Sequence, residues 1–313
     1  MIMNRVDQTA AIRALKNAAP YMRLYKGKTF VVKAGGGVFG DVEMTRALIE
    51  QIGILHYFGV RVVFVHGGGP QLTELTEQLG VPTRMVQGRR VTDQKSIDVT
   101  SMVLNGLINT RVLATCRDLN IDAVGVSGVD AGLIVAHKRP PVKLTDGSGQ
   151  TVDYGFVGDI ERIDTEVLKK LLDNGLMPIV SPLSADDRGV LLNINADTVA
   201  SAIGAALGAE KLILCTGAPG ILERVEDPGS LISYTDLRGL KKLRDAGAIL
   251  DGMLPKAKAI EDALRGGVRR VHVISYKAPE GILAEVFTNE GTGTLVVADI
   301  SALAPAELAA AQT

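Results

Sequence analysis

The segments TFVVKAGGG (residues 29–37) and RVVFVHGGGP (residues 61–70) decide the fold of this chain. Each is an apolar, β-branched run that passes directly into three glycines and then into an amphipathic stretch. A strand that ends in a glycine-rich turn and opens a helix is typical of a parallel α/β sheet. Glycines let backbone N–H groups approach an anion, and a helix N-terminus adds partial positive charge, so two such loops predict a phosphate held from two sides.

The same alternation continues along the chain. Short β-branched runs predict strands at Thr29–Lys33, Arg61–His66, Asp122–Val126, Leu176–Ser181, Lys211–Cys215 and Arg270–Ser275. Amphipathic stretches predict helices at Asp41–Gly59, Gln71–Leu79, Asp93–Leu119, Asp164–Asn174, Ala196–Leu207, Asp236–Ala246 and Pro255–Arg265. The Gly- and Pro-rich residues 133–158 predict a β-hairpin excursion. We therefore predict an α/β protein, a three-layer α/β/α sandwich around one mainly parallel sheet.

No Pro/Ser/Gly-rich linker divides the chain into independent domains. The prediction is a helical segment at 1–28, an N-terminal lobe at 29–180, a C-terminal lobe at 181–298 and an Ala-rich tail at 299–313. With 34 basic and 35 acidic side chains, the composition does not favour nucleic acid as a partner. Its two cysteines, the missing apolar span and the polar N-terminus predict a cytoplasmic protein without membrane contact.

Two lysines and one polar segment are candidates for the chemistry. Lys33 ends an apolar strand, where a charge is costly to bury unless it meets an anion; a lysine that reaches solvent is the alternative. Lys256 opens a helix, where the dipole disfavours a cation, so an anionic partner or plain solvent exposure would explain it. In NINAD (residues 193–197), Asn195 fits a helix N-cap, while Asp197 can accept hydrogen bonds from lysines; a purely structural cap is the alternative.

Two other patterns bear on which ligands the protein binds. Arg90 precedes a helix that Asp93 can cap, and its planar guanidinium suits bidentate binding of a carboxylate. The stretch GGGVFG (residues 35–40) fits a dinucleotide fingerprint, but the next strand ends in His66 and glycines, not in the acidic residue that binds the ribose. A nicotinamide dehydrogenase is therefore disfavoured, and a pair of plain tight turns remains the structural alternative.

The motifs, taken together in their order, resemble those of the acetylglutamate kinases within the amino-acid kinase family. They are KAGG (33–36), HGGGPQ (66–71), G-x-RVT (88–92), N-x-NAD (193–197) and M-x-PK (253–256). The resemblance implies an N-terminal lobe that binds the amino-acid substrate and a C-terminal lobe that binds ATP. It implies phosphorylation of the γ-carboxylate of N-acetyl-L-glutamate in arginine biosynthesis, by in-line transfer without a covalent enzyme intermediate.

The resemblance also assigns roles by position. Lys33 and Lys256 become the cations at the transferring phosphoryl group, with Asp197 orienting both. The implied phosphate-binding backbone groups belong to Gly35, Gly36 and Gly68, and the implied substrate contacts are Gly68, Gly69, Arg90 and Asn193. No protein ligand for a metal is implied, because Mg²⁺ would be held mainly by the nucleotide phosphates. A carboxylate nucleophile is already ionised at neutral pH, which agrees with the absence of an evident general base.

The segment AAPYMR (residues 18–23) resembles part of an extra helix in arginine-inhibited members, which are hexamers built through that helix. The resemblance implies a homo-oligomer, dimer or hexamer, and an L-arginine site formed by Tyr21, Lys211, His272, Glu285 and Gly291. A helix that packs only on its own subunit is the alternative.

The chain departs from the family pattern at three places. Gly217 stands at a usual aspartate, Ala34 at a common tyrosine, and SYK (residues 275–277) at a usual D-G-R. Two other functions stay open: a kinase of another acyl-amino acid, such as N-succinylglutamate or carrier-linked aminoadipate, and a non-catalytic, arginine-binding regulatory subunit.

Overall fold

The computed structural model describes residues 5–86, 89–144, 149–249, 253–288 and 291–302. The helices are α1 Arg5–Tyr25, α2 Val42–Tyr57, α3 Gly69–Gln78, α4 Gln94–Ser101, α5 Thr110–Asp118, α6 Glu166–Asp173, α7 Ala196–Ala206, α8 Leu237–Asp245, α9 Leu254–Arg265 and α10 Gly281–Phe287. The strands are β1 Thr29–Ala34, β2 Arg61–His66, β3 Arg84–Val86, β4 Arg89–Val91, β5 Ala123–Ser127, β6 Ile134–Lys138, β7 Val142–Lys143, β8 Thr151–Val152, β9 Gly158–Ile163, β10 Met177–Ser181, β11 Leu183–Ala185, β12 Leu191–Asn193, β13 Lys211–Thr216, β14 Tyr234–Asp236, β15 Arg270–Ser275 and β16 Thr294–Val297.

Some of the predicted features lie outside the described residues. They are residues 1–4, Gly88 of the G-x-RVT motif, residues 145–148 of the hairpin excursion and residues 303–313 of the tail.

The central sheet has the strand order β14-β16-β15-β13-β1-β2-β10-β5. Its neighbours are parallel except β15 and β16, which pair antiparallel, so the predicted, mainly parallel sheet is confirmed. One face carries an apolar core that includes Val31, Val199 and Ile260, from β1, α7 and α9. The other face carries a second core, which includes Ile49 and Val286 from α2 and α10. Helices therefore cover both faces, as the three-layer prediction requires.

Strand β1 lies in the middle of this sheet. Its neighbours are β13 and β2, and Ala34 at its carboxyl end pairs with Cys215 on one side and His66 on the other. Both faces of β1 are buried, which explains its unbroken apolar sequence before Lys33. Because the three strands are parallel and in register, their carboxyl ends, and the loops that follow, meet at one edge of the sheet.

The predicted hairpin excursion is the antiparallel pair β6 and β9, with the small β7–β8 hairpin between them. Strands β11 and β12, which were not predicted from the sequence, extend it to a four-stranded sheet of order β12-β11-β6-β9. The predicted helix at 93–119 is interrupted by a π-helical segment at Met102–Asn109, which joins α4 to α5.

Side-chain caps set several helix starts, as the sequence predicted. Asp41 accepts a hydrogen bond from the Met44 backbone N–H, and Asn195 accepts from the N–H groups of Asp197 and Thr198. No helix in the described part of the chain is both long and apolar enough to cross a bilayer.

Candidate active site

A buried cluster of charges lies beside the carboxyl end of β1. The Lys33 ammonium, from β1, lies 2.8 Å from the Asp197 carboxylate oxygen Oδ1. The Lys256 ammonium, from the first turn of α9, donates to the same oxygen at 3.0 Å. The three side chains are about nine-tenths buried, since their exposed fractions are 8%, 11% and 10%. The fold therefore joins the three residues that the sequence singled out, from three separate elements.

The cluster holds more positive than negative charge. Burial raises the pKa of Asp197, but the ammonium groups of Lys33 and Lys256 outweigh it, and the pKa of that carboxyl lies below its ordinary value. Burial, and then the charge of Lys33, lower the pKa of Lys256. One carboxylate thus serves two ammonium groups, and a further anion would complete the balance of charge.

The two glycine loops lie against each other beside this cluster. A Cβ on Gly36 would come 2.7 Å from Pro70 Cδ and 2.9 Å from the Gly69 backbone nitrogen, so only glycine fits there. The Gln71 side chain joins the loops, because its Nε2 donates to the Gly36 carbonyl at 2.8 Å. Its Oε1 atom is buried and has no hydrogen-bond partner among the described residues. The sequence alone predicted no role for Gln71.

The glycines of the two loops differ in how much space a Cβ atom would have. The Gly68 position is enclosed, since a Cβ there would come 2.6 Å from Ile108. At Gly69 a Cβ would meet nothing within 4 Å, so the protein itself does not require glycine there. The Gly35 N–H group already reaches the Cys215 carbonyl, at 3.4 Å. The N–H groups of Gly68 and Gly69 donate to no carbonyl of the described residues, and they lie at the N-terminus of α3, where an anion is favoured.

The predicted carboxylate-binding residues lie on two separate strands, Arg90 on β4 and Asn193 on β12. Arg90 of β4 donates to the hydroxyl groups of Thr83, at 2.9 Å, and Thr73, at 2.7 Å. Asn193 ends β12, and its side-chain amide makes no hydrogen bond within the described part of the chain. Arg90 and Asn193 do not bond to each other. The two threonines fix the Arg90 guanidinium and leave its other N–H donors for a ligand.

One residue that the sequence analysis treated only as a departure reaches this edge. Tyr276 follows β15, and its hydroxyl would come 2.5 Å from a Cβ on Gly37 and 3.2 Å from a Cβ on Gly217. The phenol therefore lies beside both loops, closer to Gly37 than to Gly217. The position at which the family usually has an aspartate is thus covered by the tyrosine at another departure.

A second buried cluster unites most of the predicted inhibitor residues. The Lys211 ammonium lies 2.9 Å from His272 Nε2, and His272 Nδ1 lies 2.7 Å from a Glu285 oxygen. Burial lowers the pKa of Lys211 to about 8 and, together with the Lys211 charge, lowers the pKa of His272 to about 4. A Cβ on Gly291 would come 2.9 Å from Glu285 Oε2.

Helix α1 covers this second cluster. The Lys211 ammonium lies 5.2 Å from the centre of the Tyr25 ring, a contact that the sequence analysis had not anticipated. Tyr21, the predicted contact one turn earlier, packs on the core beside it and is partly buried.

Comparison with known proteins shows the family of the chain. Residues 28–275 match the model of the amino acid kinase family, and the chain belongs to that family. Within it, the chain is similar in sequence to proteins named acetylglutamate kinase. That of Myxococcus xanthus is 48% identical over 91% of this chain and 93% of its own length. That of Symbiobacterium thermophilum is 40% identical over 93% of this chain and 100% of its own.

A solved structure extends the likeness to another activity. The N-acetylglutamate synthase of Neisseria gonorrhoeae, complexed with coenzyme A and L-arginine, superposes with a TM-score of 0.79 at 26% identity. The match covers 92% of this chain but 65% of the synthase. The shared part is therefore a portion of that protein.

Proposed function

We propose that this protein transfers the γ-phosphoryl group of ATP to the γ-carboxylate of N-acetyl-L-glutamate, giving an acyl phosphate for arginine biosynthesis. The cluster of Lys33, Asp197 and Lys256 beside two glycine loops carries the proposal, because it offers positive charge and N–H donors to a phosphoryl group. The acetylglutamate kinase relatives support the choice of substrate.

The two lysines act on the charge of the transferring group. In phosphoryl transfer, charge spreads over the equatorial oxygens, and catalysis rests on positioning and electrostatic stabilisation. Asp197 holds both ammonium groups on one oxygen, within 3.0 Å, so they are positioned before the substrate arrives. The N–H groups of Gly36, Gly68 and Gly69 would donate to phosphoryl oxygens from the opposite side.

The acceptor needs no base. Its carboxylate is ionised at neutral pH and attacks phosphorus directly, so neither a covalent enzyme intermediate nor a proton transfer is required. Arg90 and Asn193 would hold the α-carboxylate of the acceptor, with Gly68 and Gly69 beside the reacting carboxylate. In this proposal residues 29–180, together with Asn193, bind the acceptor, and the rest of residues 181–298 binds ATP.

The donor set suits a magnesium nucleotide better than a metal bound by the protein. No three carboxylate, imidazole or thiol groups of the described residues lie close enough together to hold a metal, and Asp197 is occupied by two lysines. Mg²⁺ would ride on the ATP phosphates and neutralise charge there. The lysines and glycine N–H groups then do the remaining positioning.

The test is ATP-dependent acyl-phosphate formation, trapped with hydroxylamine, on N-acetylglutamate, N-succinylglutamate, glutamate and aspartate. We expect selective hydroxamate formation from N-acetylglutamate. Activity confined to N-succinylglutamate would move the substrate and keep the mechanism. A purified, folded protein that forms no hydroxamate would refute the kinase and favour the regulatory subunit.

We further propose that L-arginine binds at Lys211, His272, Glu285 and Gly291 beneath α1, with Tyr21 nearby, and inhibits the kinase. The buried carboxylate of Glu285 suits a guanidinium or ammonium group. Helix α1 also exposes Ile12, Leu15 and Leu24, at 57%, 60% and 59%, which supports assembly of a dimer or hexamer through this helix. A variant lacking residues 1–24 tests both ideas. Light scattering measures its number of subunits, and an unchanged number would refute the oligomer contact. Unchanged inhibition by arginine would refute the arginine site beneath α1.

A further inference from the structure

His66, the last residue of β2, is fully buried at the edge that carries the glycine loops. It immediately precedes Gly67, and its ring lies 6.1 Å from the ring of Phe39 in an edge-on contact. A polar ring in such a place needs partners for both nitrogens.

Both partners are present. The amide nitrogen of Asn109 lies 3.2 Å from His66 Nε2 and also donates to the Ile179 carbonyl, at 3.0 Å. An amide nitrogen can only donate, so Nε2 must be the acceptor of this pair. The proton of a neutral ring is then on Nδ1, which lies 3.2 Å from the Gly67 carbonyl oxygen. The contacts therefore define one tautomer, with Nδ1–H donating to Gly67.

This bond fixes the next peptide group. In a trans peptide the C=O and the following N–H point in opposite directions. When the Gly67 carbonyl turns to the imidazole, the Gly68 N–H must point away from it. That N–H donates to no carbonyl of the described residues, and a Cβ on Gly67 would lie 3.5 Å from the Gly36 nitrogen, so the Cα of Gly67 lies against the first glycine loop.

The protonation state agrees with the geometry. Burial lowers the pKa of His66 to about 4, while the Gly67 carbonyl opposes the shift. The ring is therefore neutral at the pH at which kinases work, and the Nε2 acceptor that Asn109 requires is preserved.

We propose that His66 is a positioning residue for phosphoryl transfer: held by Asn109, its neutral ring binds the Gly67 carbonyl and aims the Gly68 N–H at the transferring group. The proposal rests on the proposed kinase function for its consequence, but the tautomer itself does not. His66 touches neither substrate, and it acts only through the Gly67–Gly68 peptide.

The first test is the tautomer, read by ¹⁵N NMR of the imidazole nitrogens in the full chain. The chain has 4 histidines, and the signals missing from His66→Asn identify this one. We expect Nδ1 to be protonated and Nε2 unprotonated. The ring should not titrate between pH 5.5 and 8, because this whole range lies about a unit or more above its lowered pKa. A ring protonated on Nε2, or one that titrates in this range, would overturn the proposal even if the kinase is active.

The second test is a matched pair of variants. His66→Asn keeps an N–H donor where Nδ1 was, whereas His66→Gln puts its amide at the Nε2 end and lacks that donor. We expect His66→Gln to lower kcat by about 10², the usual effect of losing one preorganised donor, with KM little changed and kcat largely rescued in His66→Asn. Equal kcat values in the two variants, with equal thermal unfolding, would overturn the positioning role. A wild-type protein without turnover would refute the kinase proposal and leave the NMR result to decide this one.

Discussion

Replacement of Asp197 by asparagine tests the charge cluster in the most demanding way, because it keeps the shape of the side chain and removes its charge. Two ammonium groups, at 2.8 and 3.0 Å from one oxygen, would then lack a counter-charge in a buried site. Loss of one partner of a buried ion pair costs about 3–5 kcal/mol. At about 2–4 °C per kcal/mol for a large domain, the thermal midpoint should fall by roughly 10 °C.

The matched control is Asp262→Asn, which breaks an exposed pair with Lys258 one turn away on α9. An exposed helical pair is worth about 0.5 kcal/mol or less, so this variant should unfold almost like the wild type. Thermal unfolding followed by circular dichroism measures both, and hydroxamate formation should be lost in Asp197→Asn alone. If Asp197→Asn cost no more than Asp262→Asn, the cluster would not be the buried, electrostatically strained site described above.

Three other predictions concern the glycine loops, Lys211 and Arg90. Gly69→Ala should fold normally, since its Cβ meets nothing within 4 Å, yet its kcat should fall because the methyl group occupies the place of the ligand. Gly36→Ala should lose stability as well as kcat, and equal unfolding midpoints of the two variants would contradict this. Lys211 has a pKa lowered by burial from 10.5 to about 8, so the unfolded chain binds that proton more tightly and the contribution of Lys211 to stability should rise with pH across that interval, by up to about 3 kcal/mol. The wild type minus Lys211→Met difference in urea unfolding should show this rise, with the variant more stable at pH 7, and a difference that does not change with pH would refute the assignment. Arg90→Lys should raise KM for the acceptor about tenfold with kcat nearly unchanged, because a lysine cannot reproduce the fork that Thr73 and Thr83 fix; an unchanged KM would remove Arg90 from the acceptor site.

Local sequence patterns predicted the central strands and most of the helices, because each has a strong signal within a few residues. The strand β1 is unbroken and apolar, and α7 has the cap Asn195. The four-residue strand β16 and the seven-residue helix α10 were missed. Their formation depends on pairing with β15 and packing on α2, which no short window of sequence contains.

For the candidate active site, the sequence predicted the residue types but not most of their contacts. The residue types were evident from local chemistry, since a lysine at the end of an apolar strand needs a partner. That Lys256 would share Asp197 with Lys33 was implied only by the resemblance, because Lys256 and Asp197 are 59 residues apart. The contacts of Gln71, Tyr276 and His66 arise where two or three loops meet, so spacing alone could not indicate them.

The most direct test of phosphoryl transfer to a carboxylate is an oxygen-label experiment. The γ-carboxylate of N-acetylglutamate is labelled with ¹⁸O, the protein is supplied with ATP and Mg²⁺, and the product is cleaved with hydroxylamine, which attacks the acyl carbon. If a carboxylate oxygen attacks phosphorus, the released phosphate carries one labelled oxygen, which shifts its ³¹P resonance. This is the predicted result, whereas unlabelled phosphate would mean that water attacked ATP and would contradict the account.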